Sequence, residues 1–589
     1  MMNIQSIKCK LAKTITAFGF CLLVIGQQSC SDFLDLKPLN DVVLENYWTK
    51  KDDVTSVLMG CYESLHSKES IIRMGLWGEA RSDNMVKGNT TSQDLEQILK
   101  EDILPNNSYC NWTALYQTIN RCNITVHYAP LVQEIDPNYT LSEMKANIAE
   151  ATFIRSLCYF HLIRAFRDVP FSREPSIDDS QAYQVPADSF NVVLSYLIED
   201  LEAVKDDAQL YFYKPNPDRM YQEEAERDNT ARVTRPAIYA LLADLYLWQG
   251  NWQKCVECCD YVIEFKQKEY ENLKRRYQND IALFNDIPLI REKTGGDVSG
   301  NAYDQIFGMG NSFEGIFELT FDERYSFQKN NEWFLNNDYV ATYYTKYDGG
   351  LTNGYCAPNE DFYGELPKSA NDLFKSVNDC RAYESIYRIS ETSKAIYKYA
   401  ASSIRIEGTG STLTVNPNNY NPWLTTSGGQ NDSNWIVYRL TDVVLMKAEA
   451  LIQQGSDKFE EAFSLINAVS KRAVNSFSPG VGEILKFDDY KDSQETMNQL
   501  VMDERHRELM FEGKRWYDLL RQARRMGSTR TLADIVVEKQ KTNKSGIKIR
   551  LADPNALYLP YYRNELKVNP YLKQNPAYHT GDDSDLEKN

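Results

Sequence analysis

The densest run of chemically able side chains is Asp503 to Arg521, DERHRELMFEGKRWYDLLR. Glu504, Glu508 and Glu512 recur every four residues, the spacing of one helix face. Like charges at that spacing repel by about 0.2–0.5 kcal/mol per pair, so cations must offset them. Arg505, Arg507, Lys514 and Arg515 are at hand, together with arginines from other helices. A carboxylate pair beside His506 has the types needed for general acid–base work. Yet Leu509, Met510, Phe511, Trp516 and Leu519 thread the same run, as helix packing demands. The favoured reading is a charge-paired network locking the last helices together. Its structural motif is Glu504, Arg507, Glu508, Glu512, Gly513, Arg515, Trp516 and Asp518.

Cys255, Cys258 and Cys259 share a helix face, and three thiolates can ligate zinc. Two of them fall on repeat-packing positions and no histidine is near in sequence, so buried thiols are the better reading and no metal is expected. The chain has no His-Glu-x-x-His, Walker loop or Gly-x-Ser-x-Gly elbow, and no cofactor is indicated. Glycoside hydrolysis by two carboxylates stays open in principle, since 83 acidic residues offer many pairs and nothing selects one.

Aromatics are more informative. A sugar ring has an apolar C–H face and a polar rim, suited to an aromatic platform edged by hydrogen-bonding side chains. Trp48, Trp112, Trp248, Trp252 and Trp516 fall on helical stripes or repeat positions and belong to the core, while Trp435 is ambiguous. Trp77, Trp333 and Trp423 sit in loop-like context. Arg81, Asp83 and Asn84 follow Trp77, and Tyr343 follows Trp333. Residue type and loop placement therefore give a ligand-contact set of Trp77, Arg81, Asp83, Asn84, Trp333, Tyr343 and Trp423, although packing is the commoner use of any single one.

The elements that must position these groups are mainly helical. Apolar residues recur at three and four from Asp53 to Leu65, from Trp112 to Leu131 and from Ile148 to Phe166, where Asp168-Val169-Pro170 supplies a stop. Phe190 to Val204 is the expected partner of the last of these. Tyr239, Leu242, Ala243, Tyr246, Gly250, Trp252, Cys255 and Cys259 fit the tetratricopeptide pattern, and Ala448, Leu451, Gly455, Phe459, Ala462 and Ile466 repeat it with a longer turn. The fold class expected is mainly α, a tetratricopeptide-like scaffold of about four helix pairs in a right-handed array, with an irregular inserted α/β subdomain. The expected division is 30–269 as the N-terminal helical-repeat region, 270–433 as the insertion carrying the ligand loops, and 434–589 as a helical region with a packed tail. The insertion is rich in Gly, Asn, Asp, Ser and Tyr, with a strand expected at Gly315 to Phe321. Leu557 to Tyr578 reads as a packed strap, and Asp582 to Asn589 as disordered.

Composition removes several function classes. With 83 acidic against 65 basic residues in 589 (net −18), neither a nucleic-acid partner nor electrostatic docking to anionic lipid is expected. Twelve cysteines are too few for a disulfide scaffold, and 38 Tyr, 24 Phe and 9 Trp too many for a disordered chain. Residues 1–29 read as a signal peptide: Lys8, Lys10 and Lys13 precede the apolar run Ile15 to Ile25, too short to span a bilayer. Ser29 fits the small position before a lipidated Cys30, though Gln27 departs from the usual leucine. Release by signal peptidase is the alternative, and Cys21, behind Phe20, is a poorer rival for the lipid.

Several segments carry a family resemblance. Cys30-Ser31-Asp32-Phe33-Leu34-Asp35 resembles the mature start of the SusD/RagB lipoproteins of Bacteroidota outer membranes, and Asp503 to Arg521 is similar to their hallmark segment, with His506 intercalated. Ile148 to Pro170 and Arg439 to Ala450 resemble two of that family's helix pairs. Asn569-Pro570, Gln574-Asn575-Pro576 and Tyr578 resemble its terminal motif, with Ala577 in place of glycine. The resemblance implies a non-catalytic nutrient-binding protein, most often for oligosaccharide. It implies lipid tethering on the outer face of the outer membrane and partnership with a SusC-like TonB-dependent transporter. Peptide or glycoprotein capture is the nearest alternative, and a surface glycoside hydrolase a distant one.

Overall fold

The computed structural model describes residues 47–177, 184–292, 301–321, 337–347, 351–362, 373–374, 379–388, 393–404, 406–407, 414–415, 421–422, 433–474 and 485–578. The signal segment, Cys30, Trp333, Trp423 and the last eleven residues lie outside them.

Eleven helices carry the frame: α1 (Lys51–Leu65), α2 (Lys68–Glu79), α3 (Thr113–Ile135), α4 (Leu141–Phe166), α5 (Phe190–Val204), α6 (Arg235–Gln249), α7 (Trp252–Asn272), α8 (Leu440–Gln454), α9 (Phe459–Val474), α10 (Gln494–Leu509) and α11 (Arg515–Met526). Local chemistry sets their ends. Thr140 and Glu143 close a capping box at the start of α4, and Pro236 lies in the first turn of α6. Gly250 ends α6 in the left-handed region (φ +81°), and the Asn251 side chain caps α7. In the second repeat the longer turn is a short 3-10 segment, Ser456–Lys458.

The helices stack in pairs. α1 packs with α3, α4 with α5, α6 with α7 and α8 with α9; α3–α4, α5–α6 and α7–α8 contacts join one pair to the next. The fold is thus a mainly helical, tetratricopeptide-like array. Small side chains let the helices approach: Ala237, Ala240, Ala243, Cys255 and Cys259 are all fully buried. α7 and α8 are neighbours in space although residues 273–439 lie between them in sequence.

That intervening stretch holds short elements. Each sheet among the described residues has two strands. Gly315–Leu319 pairs antiparallel with Trp435–Arg439, which leads directly into α8. Met85–Lys87, just after α2, pairs with Cys356–Pro358. Helix Asp338–Tyr343 packs on α2, where the Tyr339 ring sits so close to Gly75 that an added Cβ would lie 2.3 Å from it. The C-terminal strap is tied down by backbone bonds from Leu559 N–H to Ala165 O and Arg563 N–H to Pro105 O, both 2.8 Å.

Candidate functional site

The glutamate row depends on where α10 stops. Glu504 and Glu508 are on the helix, but it ends at Leu509. Phe511 (φ +64°) and Gly513 (φ +71°) then turn the chain, so Glu512 returns to the row from a turn rather than from the same helix. All three carboxylates are buried. Glu508 accepts from Arg439 at 2.6 Å, Arg381 at 3.1 Å and Arg472. Glu504 accepts from Arg381 and Arg507, both at 2.7 Å. Glu512 accepts from Lys398 at 2.6 Å and Arg439 at 2.7 Å. Burial pushes the Glu508 carboxyl up, but Arg472, Arg439 and Arg381 together hold it well below its ordinary value. Burial opposes ionisation of Glu512 too, and Arg439 with Lys398 outweighs it.

The remaining basic residues of the motif serve a second layer. Arg505 bridges Asp442 (2.9 Å) and Asp518 (3.0 Å), Lys514 reaches Asp442 at 2.9 Å, and Arg521 bridges Glu449 (2.6 Å) and Asp518 (2.8 Å). Desolvation raises Asp442 and Glu449, yet their cations hold both far below the usual carboxylate range. Burial, then the Arg515 charge, pushes His506 down to about 3. Its neutral ring donates from Nε2 to Asn84 Oδ1 at 2.5 Å. Each of these carboxylates is spent on a cation and the imidazole on an amide, so the arrangement locks elements together.

The same lock absorbs four of the residues expected at a ligand. Trp77 lies in α2, not in a loop; it is 3% exposed, donates Nε1–H to Tyr109 O at 2.8 Å and meets Phe166 edge to face. Arg81 pairs with Glu101 at 2.6 Å, donates to the carbonyls of Ala556 and Leu557, and lies 4.1 Å over the Trp516 ring. Asp83 pairs with Arg515 at 2.9 Å and sits at about 2: burial raises it, but Arg515 and then His506 pull it down. Asn84 donates to Glu79 at 2.5 Å. Tyr343, in the helix Asp338–Tyr343, is buried with its hydroxyl 2.9 Å from that of Tyr109. These five side chains are buried, and their polar groups find partners inside the protein. Trp435, ambiguous in sequence, is a buried strand residue packed on Tyr339 and Tyr399. The sequence pattern pointed to distant arginines but not to Arg381, Lys398, Arg439 or Arg472. Their partners in the glutamate row lie 36 to 127 positions away, so nothing in the local sequence links them to it.

Outside the lock, a polar cleft of about 520 Å³ opens between α2 and the start of α3. Glu63, Ser67, Glu69, Arg73, Asn111, Gln117 and Arg121 line it, with Tyr562 from the strap as its aromatic wall. Arg73 is held by the carbonyls of Asn111 (3.0 Å) and Ser108 (2.9 Å) and lies 5.4 Å from the Tyr109 ring centre. Such a lining can hydrogen-bond a polyol rim.

The comparisons agree with this architecture. Residues 299–578 match the model of the SusD family, and residues 32–247 match a SusD-like model described as "starch-binding associating with outer membrane". SusD-like protein P38 of Formosa agariphila is 24% identical over 530 residues, 87% of this chain and 92% of that protein. A SusD superfamily protein of Bacteroides thetaiotaomicron superposes with a TM-score of 0.60 at 19% identity, over 90% of this chain and 99% of the other. A laminarin-binding SusD-like protein does so with a TM-score of 0.58, also at 19% identity, over 90% and 100%. Two family models spanning most of the chain, full-length relatives and a shared helical array place it in one family: this chain belongs to the SusD/RagB family.

Proposed function

We propose that this protein is a non-catalytic binder of oligosaccharide at the cell surface, handing its ligand to a SusC-like TonB-dependent transporter. The observation that carries the reading is the pair of family matches covering 32–247 and 299–578, one described as starch-binding and outer-membrane-associated. A laminarin-binding protein with the same fold supports it. Among the described residues no helix is long and apolar enough to cross a membrane, so membrane attachment in this proposal falls to a lipid on Cys30. The polar cleft beside Tyr562 offers rim groups, and Trp333 and Trp423 stay proposed as platforms on residue type alone.

Titration calorimetry against laminarin, starch and other glycans, with peptides as the competing class, tests this. A glycan should bind, and Trp333→Ala, Trp423→Ala or Tyr562→Ala should weaken it at least tenfold, since stacking on an aromatic face is lost. Binding of peptides alone would favour peptide capture, and shortening of a polysaccharide by the purified protein would replace the proposal with hydrolysis.

A further inference from the structure

Away from the polar cleft and the glutamate row, a second acidic group sits in the interior. Glu292 follows the strand Ile287–Ile290, and Cys380 and Glu384 stand one helical turn apart on the short helix Cys380–Ser385. One ligating atom from each residue lies within 4.8 Å of the other two, and all three residues are buried. Cys380 Sγ is 4.0 Å from Glu292 Oε1. The two carboxylates face each other within hydrogen-bond reach. Glu384, only 6% exposed, leaves its Oε1 with no hydrogen-bond partner.

Two facing carboxylates out of water need either a shared proton or a cation between them. A shared proton would serve the facing oxygens alone, leaving Glu384 Oε1 without a partner, while the thiol donates to Glu292. Arg472 is the charged side chain that tempers Glu384, but it is already held by Glu508 and by Glu314, the latter at 3.7 Å. The donor set also selects the ion. A thiolate with two carboxylates suits a borderline-soft metal and is poor for calcium or magnesium, which take oxygen ligands. The ligands are oriented from outside: Ala302 N–H bonds Glu292 Oε2 at 3.3 Å, and Asp379, which caps the short helix, is clamped by Arg381 at 2.7 Å.

We propose that Glu292, Cys380 and Glu384 form a binding site for one divalent cation of the zinc class. Three protein ligands leave a fourth position for water. The site lies next to Arg381, which reaches Glu504 and Glu508, so the ion fastens the insertion beside its main tie to the helical array. It is separate from the thiols of Cys255, Cys258 and Cys259 on α7.

The test uses the full chain, equilibrated with Zn2+, freed of loose metal and assayed by elemental analysis, with Co2+ as the optical probe. Wild type should retain about one zinc per chain. Its Co2+ form should show thiolate-to-metal charge transfer. Cys380→Ser should abolish that band, and the nearly isosteric Glu384→Gln should weaken Zn2+ binding about tenfold or more. Cys258→Ser should change neither, and circular dichroism should show all variants folded. Absence of stoichiometric zinc in wild type would overturn the proposal. So would full retention in both Cys380→Ser and Glu384→Gln, or loss on Cys258→Ser instead.

Discussion

The helical array and the stretch inserted between α7 and α8 follow opposite rules. Helices of the array run to 26 residues and carry caps and apolar periods within their own sequence. Strands described in the insertion have two to five residues; several pair with a near neighbour, as Ile281–Phe284 does with Ile287–Ile290, while Gly315–Leu319 finds its partner at a distance in Trp435–Arg439. A short strand pair is marginal alone, so the insertion must borrow stability from the array. It does so through charge: Arg381 and Lys398 leave the insertion to meet Glu504, Glu508 and Glu512. The segment most recognisable in sequence is therefore the seam between the two regions.

Acid should open that seam with the largest effect. Glu508, Glu512, Asp442 and Glu449 are held below their ordinary values, and Asp83 at about 2, chiefly by cations overriding burial. A depressed carboxyl contributes in full above its unfolded value, 4.5 for Glu and 3.8 for Asp, and loses that contribution as pH falls through its folded value. Glu79 works in the opposite sense. Burial raises it to about 7, so its cost appears as pH climbs from 4.5 toward 7. Urea midpoints should fall steeply below pH 4.5, with helix signal and protease resistance of the insertion lost together. Cleavage of the insertion well before the helix signal falls would break the coupling.

Glu508→Ala comes next. It leaves Arg381, Arg439 and Arg472 facing one another without their shared carboxylate, which costs about 3–5 kcal/mol. Urea unfolding measures it, and a loss under about 1 kcal/mol would make the seam no stronger than a surface pair. Gly75→Ala is the smallest and the most local. Its Cβ would fall 2.3 Å from the Tyr339 ring, so the insertion's helix must move, at about 1–3 kcal/mol. Hydrogen exchange should quicken around Asp338–Tyr343 while α6 and α7 keep their protection; equal quickening in both would mean that the strain is not local to that helix.

Legibility followed the same division. Phe190–Val204 begins and ends where its apolar period does, and Gly250, at φ +81°, turns the chain where the repeat pattern places it. Trp77 lies in a helix, α2, whose glycines at 75 and 78 give the Tyr339 ring and the Gly513 carbonyl room to press on it. Arg81, Asp83 and Asn84 have the composition of a sugar-binding edge, yet their partners are Glu101, Arg515, Glu79 and His506.

What the sequence determined by itself is what depends on neighbours along the chain: helix periods, caps, repeat turns and the charge-dense segment near residue 508. Tertiary structure alone decided which cation meets which carboxylate, that Glu512 joins the row from beyond the end of α10, and that Glu292 faces Glu384 across 92 positions. The physical reason is that a buried charge is stable only beside its counter-charge, and folding, not sequence order, brings the two together.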